Sequence, residues 1–135
     1  MTSTTDTLLN GLLDWVRIET HTPDIAGLNS LMDLVAAQAA AFGATSERIP
    51  GRDGHGDHLI VYSPWGDRKT PGILLMSHLD TVHPKGTIEA DLPIRIEGDE
   101  AYGPGICDMK GGSYLSVEAI RQLMAAGIET PLPVT

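Results

Sequence analysis

Four consecutive apolar residues, Ile73-Leu74-Leu75-Met76, constrain this chain more than any other feature. Successive side chains of a strand point to opposite faces, so a run without a polar residue asks to be covered on both. That pattern predicts a central strand of an α/β sheet with helices on each side. Three segments with helical period are available to do the covering. From Thr5 to about Glu19, Leu8, Leu9, Leu12, Leu13 and Val16 recur on one face, with Asp6 well placed in the first turn. Thr20 to Asp24 breaks the period, and Pro23 bars simple continuation. A second helix is predicted from Ile25 to Phe42 on a stripe of Leu28, Leu31, Met32, Val35, Ala39 and Phe42, with Gly43 as its cap. A third covers Gly111 to Ala126 and stops at Gly127.

The remaining strand signals are shorter. Ser46 to Ile49 is weak, His58 to Ser63 carries four apolar or aromatic residues, and Gly51 to Asp57 between them is a loop by composition. Ile94 to Glu97 with Ala101 and Tyr102 suits a hairpin turning at Gly98-Asp99. Pro131 to Thr135 reads as the opening of another strand. There is no internal repeat.

Length and charge narrow the classes of function. The 135 residues suffice for one domain with a real core, and 41% hydrophobic content is globular. A net charge of −9 argues against nucleic acid or an anionic membrane as partner, because both demand a basic face. The single cysteine, Cys107, permits no intrachain disulfide and suits a reducing compartment. The polar stretch Met1 to Asn10 lacks the layout of a secretory signal, and no apolar run reaches the ~20 residues of a membrane span. The expectation is a cytoplasmic protein without membrane or nucleic-acid partners.

Two motifs carry chemistry. Ser77-His78-Leu79-Asp80-Thr81-Val82 follows the apolar run directly, at the end of the strand where α/β proteins bind ligands. His78 and Asp80 are two positions apart, so in extended chain their side chains share a side. His78 can then bind a metal through one ring nitrogen while Asp80 accepts a hydrogen bond from the other, which fixes the tautomer. An isolated His-x-Asp pair is more often plain surface, but here an apolar strand delivers the pair to a crevice and a second motif accompanies it. In Tyr102-Gly103-Pro104-Gly105-Ile106-Cys107-Asp108-Met109-Lys110-Gly111-Gly112, a glycine-rich turn presents Asp108 just before a helix. A carboxylate has two oxygens and can bridge a pair of cations, as in paired-metal hydrolases. The competing readings are a helix cap and a dinucleotide loop. The latter lacks its third glycine and would set Asp108 against a pyrophosphate.

Together the two motifs resemble the zinc-dependent exopeptidase and deacylase family of carboxypeptidase G (glutamate carboxypeptidase), aminoacylase and acetylornithine deacetylase. The resemblance spans the amino-terminal helix pair, the His-Leu-Asp-Thr-Val segment and the Gly-Pro-Gly-Ile-x-Asp-Met-Lys-Gly-Gly segment. It implies a three-layer α/β catalytic domain with a largely parallel central sheet. It further implies that His78 binds one zinc, that Asp80 is the catalytic-site aspartate orienting it, and that Asp108 bridges two zinc ions. Family members continue with a strand and a Glu-Glu pair, then a further aspartate, a late histidine and a smaller dimerisation domain. By that standard residues 1–135 are a truncated amino-terminal portion of the catalytic domain, inactive alone. The whole protein would be a homodimeric metallopeptidase or amidohydrolase cleaving N-acyl amino acids or small peptides.

The alternative from another class is a non-catalytic metal-binding or interaction domain that keeps half of the site. A nucleotide-binding module is the third reading, disfavoured by Asp108. Other residues are given no catalytic part. Cys107 is expected to be an inert packed thiol, His83 a structural loop residue, and His21, His55 and His58 solvent-exposed. Lys110 is expected to pair with a carboxylate near the site as structural support.

Overall fold

The computed structural model describes residues 4–135; residues 1–3, at the head of the polar amino terminus, lie outside the described residues. Helix α1 (Thr5–Arg17) starts where the Thr4 hydroxyl accepts the Thr7 N–H at 3.2 Å, and ends where Ile18 turns extended. Helix α2 (Ile25–Ala41) is capped by Asp24, whose carboxylate accepts the Gly27 N–H at 3.1 Å, and terminates through Phe42 and Gly43. Strands β1 (Thr45–Ile49) and β2 (His58–Tyr62) pair antiparallel, from Thr45 opposite Tyr62 to Ile49 opposite His58. A second hairpin joins β3 (Arg95–Glu97) to β4 (Glu100–Tyr102) across Gly98, which has φ 61°. After a wide turn over Ile106–Lys110 the chain enters helix α3 (Gly111–Ala125). The helices predicted from periodicity are thus all present, each ending within two residues of its expected limit.

The core forms where the helices meet β2. Trp15, Leu31, Val35 and Tyr114 are buried together, with Leu59 and Val61 of β2 and Leu79 packed against them. The rings of Trp15 and Tyr114 meet edge to face, their centroids 5.3 Å apart. The indole N–H of Trp15 donates to Gln38 Oε1 at 2.8 Å, so the one polar atom of this fully buried ring is satisfied. A smaller cluster joins Trp65, Ile120 and Val134.

The apolar run that suggested a central strand behaves differently from its prediction. Residues 73–76 run parallel to 133–135: Ile73 N–H donates to Pro133 O, Thr135 N–H to Ile73 O, and Leu75 N–H to Thr135 O, at 2.7–2.8 Å. Val134 O also accepts the Ser63 N–H, so 133–135 lie between β2's end and the run. Between β2 and residues 74–79 lies an open cleft of about 720 Å³. Leu74 and Met76 are accordingly 65% and 80% exposed. Parallel pairing among the described residues is confined to short bridges, while the two regular ladders are antiparallel.

A second parallel contact matters more for the site. The polar break between α1 and α2 lies along the residues that follow the apolar run. Thr81 N–H donates to Thr20 O at 2.8 Å and Thr22 N–H to Thr81 O at 3.0 Å, while the buried Thr20 hydroxyl donates to Leu79 O at 2.6 Å. What periodicity marks only as a helix break is therefore a strap that holds the first motif in place.

Candidate metal centre

The two motifs meet. His78 Nε2 lies 3.0 Å from Asp108 Oδ1, although the residues are 30 positions apart in sequence. On its other side His78 Nδ1 lies 3.1 Å from the Asp80 carbonyl oxygen and 3.2 Å from Asp80 Oδ1. The imidazole is thus held between two carboxylates, both shared with solvent. Burial alone would pull the His78 imidazole below its ordinary value. The bond to Asp108, the Asp80 carbonyl and the two carboxylate charges outweigh that and hold it raised.

Each member is placed by a different device. His78 and Asp80 sit on the segment secured by the 20–22 strap, and Asp80 Oδ2 accepts the Thr22 hydroxyl at 2.7 Å. Asp108 projects from the wide turn, in which Gly105 has φ 72° and Lys110 N–H returns to Gly105 O at 2.9 Å. A Cβ at Gly105 would overlap the Thr81 methyl group, so only glycine lets the second motif lie this close to the first. The Ser113 hydroxyl, near the start of α3, is within 3.2 Å of His78 O and 3.0 Å of Met109 O, tying the two segments together. The cap reading of Asp108 fails, because no side chain caps α3.

Lys110 lies beneath the turn, 1% exposed. Its ammonium donates to Ile18 O at 2.6 Å and Trp15 O at 3.2 Å, the end of α1, where the helix dipole favours a cation. Burial pushes its pKa down to about 8 against the opposing charge of Glu19. Its hydrogen-bond partners are therefore carbonyls rather than the carboxylate expected from sequence. Cys107, expected to be packed, is exposed, as is its neighbour Asp108 on the same turn. His55 and His58 are exposed as expected, whereas His21 is half-buried by the strap. Thr22 was not singled out by sequence, since nothing local links it to Asp80, 58 positions later.

The donor chemistry suits zinc in kind. An imidazole nitrogen and a carboxylate oxygen face each other, with a second carboxylate behind the ring. It falls short in number, for among the described residues no group of three His, Cys, Asp or Glu side chains gathers to hold an ion.

Comparison with known proteins finds relatives of this chain. The profile of "Peptidase family M20/M25/M40" matches residues 74–135, a segment that contains His78, Asp80 and Asp108. The chain is 37% identical over 114 residues to carboxypeptidase G2 of Pseudomonas sp. (strain RS-16), covering 84% of this chain and 27% of that protein. It is 37% identical over 67 residues to a peptidase M20 domain-containing protein of Schizosaccharomyces pombe, covering 50% of this chain and 15% of the other. The crystal structure of human carnosine dipeptidase 1 superposes with a TM-score of 0.77 over 96% of this chain and 30% of that one, at 19% identity. This likeness shows an α/β fold shared with that structure, and the chain spans about a third or less of each relative's length.

Proposed function

We propose that the chain belongs to peptidase family M20/M25/M40 and forms the amino-terminal part of the catalytic domain of a metal-dependent amide hydrolase. The observation that carries the proposal is the His78 imidazole held between Asp80 and Asp108. His78 and Asp108 would hold the metal, and Asp108 would be shared with a second ion if two are bound. Asp80 keeps the His78 ring turned so that Nε2 faces Asp108. When bound, zinc supplies Lewis acidity toward an amide carbonyl and lowers the pKa of water. The general base and the remaining ligands come from polypeptide outside residues 1–135, since a catalytic zinc takes about three protein ligands. Substrates of the whole protein are N-acyl amino acids or small peptides with a free carboxylate, and its assembly is a homodimer, in keeping with the family resemblance. No helix among the described residues is long and apolar enough to cross a membrane, and the one thiol suits a cytoplasmic location.

The test is hydrolysis of a panel of N-acyl amino acids and dipeptides by the family-length protein carrying this segment, with and without a chelator. Turnover that disappears on chelation and returns with zinc is expected, with none from residues 1–135 alone. Turnover indifferent to chelation overturns the metal reading. The incomplete donor set leaves one second reading, a non-catalytic domain with half of a metal site; zinc binding without turnover by the family-length protein would select it.

A further inference from the structure

We propose that Thr22 is a positioning residue of this site, its hydroxyl locking the Asp80 carboxylate in the orientation that faces His78. The inference rests on the reading of His78, Asp80 and Asp108 given above and extends it to the strap between α1 and α2.

Asp80 has two carboxylate oxygens with different tasks. Oδ1 lies 3.2 Å from His78 Nδ1 as an ion-pair contact, beside the hydrogen bond between Nδ1 and the Asp80 backbone carbonyl at 3.1 Å, and Oδ2 accepts from Thr22 Oγ1 at 2.7 Å. A carboxylate hydrogen-bonded at Oδ2 and drawn toward the imidazole at Oδ1 is restrained from rotating about its side-chain bonds, whereas one without the Oδ2 bond is free to turn. Thr22 Oγ1 carries a single proton, and its other acceptor, Thr81 O, lies farther away at 3.3 Å and already accepts the Thr22 N–H. The proton is therefore directed to Asp80, where a charged acceptor makes the stronger bond. The side chain is β-branched and restricted at χ1. Its backbone is held by the pairing of 20–22 with 79–81. A rigid donor on a fixed backbone is how an outer hydrogen-bonding partner orients an inner one. The order is Thr22 to Asp80 to His78 to Asp108, so that the strap decides where the imidazole points.

The decisive comparison is Thr22→Val, which keeps the shape and loses the proton, against Thr22→Ser, which keeps the proton. Thr20→Val serves as control, because it removes the strap's bond to Leu79 O without touching Asp80. In the metal-free family-length protein, three-bond NMR couplings across the Asp80 side chain report its rotamer. A single rotamer is expected in wild type, Thr22→Ser and Thr20→Val, and averaging in Thr22→Val. Zinc titration followed at the His78 ring should then show affinity weakened by about three- to tenfold in Thr22→Val and restored in Thr22→Ser, below the span typical of a ligand's immediate partner. An unchanged Asp80 rotamer in Thr22→Val overturns the proposal, as does equal averaging in Thr20→Val, which would make the strap merely structural. If wild type shows no zinc response while the rotamers behave as stated, the metal reading fails and Thr22 remains the residue that orients the histidine–aspartate pair.

Discussion

At the scale of single residues, His78 carries one carboxylate on each side of its ring, held in different ways. Asp108 and Asp80 both touch the same imidazole, but Asp108 offers its exposed carboxylate beside Nε2 whereas Asp80 is held behind Nδ1 by Thr22. In the family-length protein, His78→Ala and Asp108→Ala are each expected to abolish turnover and reduce bound zinc. Asp80→Ala should lose most activity with a smaller loss of metal, about 10–100-fold in affinity. Metal analysis of the three purified variants checks this, and full zinc occupancy in Asp108→Ala would end its assignment as a ligand. Lys110 makes a separate residue-scale prediction. Lys110→Met keeps the apolar stem but leaves Ile18 O and Trp15 O without their charged donor. The loss is expected to be about 1–3 kcal/mol, since removing one partner exposes the desolvation cost of the other. Urea unfolding measures it, and an unchanged midpoint would show that the apolar stem alone supports the turn.

At the scale of elements, the ends of helices organise the site. The last turn of α1 delivers three contacts within a few residues: carbonyls to Lys110, the strap to Leu79 and Thr81, and Glu19 to the loop beyond the first motif. Glu19 accepts the Gly86 N–H at 2.7 Å and the Ile88 N–H at 3.0 Å. The Gly86 bond leads in holding its carboxyl below the usual 4.5; burial opposes it, and Ile88, Thr87 and Lys85 reinforce it. A carboxyl whose pKa is lowered on folding adds stability above its unfolded value and loses it as the pH falls through the folded one. Glu19→Gln should therefore be less stable than wild type near neutrality, by on the order of 1 kcal/mol once solvent screening is allowed for. The difference should shrink as pH falls below 4.5. Unfolding curves at several pH values test it; a gap independent of pH would show that the charge of Glu19 is not what the loop amides hold.

For the molecule as a whole, the open cleft between β2 and residues 74–79 is the dominant feature. Leu74 and Met76, two residues apart on the apolar run, are largely exposed. Among the described residues the run's hydrogen-bonding neighbour is the short segment 133–135. A flat apolar edge of this kind invites pairing with another chain. Residues 1–135 in isolation are expected to self-associate, and the pair Leu74→Lys with Met76→Lys to reduce association strongly. Stability should change by no more than about 0.5 kcal/mol, as for exposed sites generally. Sedimentation velocity over a concentration series tests this. Unaltered association of the double variant would locate the contact elsewhere.

The sequence by itself determined the helices, because an apolar stripe with period 3.6 is local information, and the break at Pro23 and the cap at Gly43 bracketed α2 within the same few residues. It also singled out His78, Asp80 and Asp108 as candidates, because the two motifs occur together beside an apolar run and a glycine turn and resemble a known family. Only the tertiary structure decided what those residues touch. Thr22 reaches Asp80 across 58 positions, and Lys110 reaches Ile18 across 92. Neither pairing leaves a periodic or compositional trace, for a single polar contact between distant segments is set by how the backbones are brought together. The exposure of Leu74 and Met76 has the same origin. A strand's own residues state that it wants covering on both faces, but whether it is covered depends on which neighbours are present to pair and pack beside it.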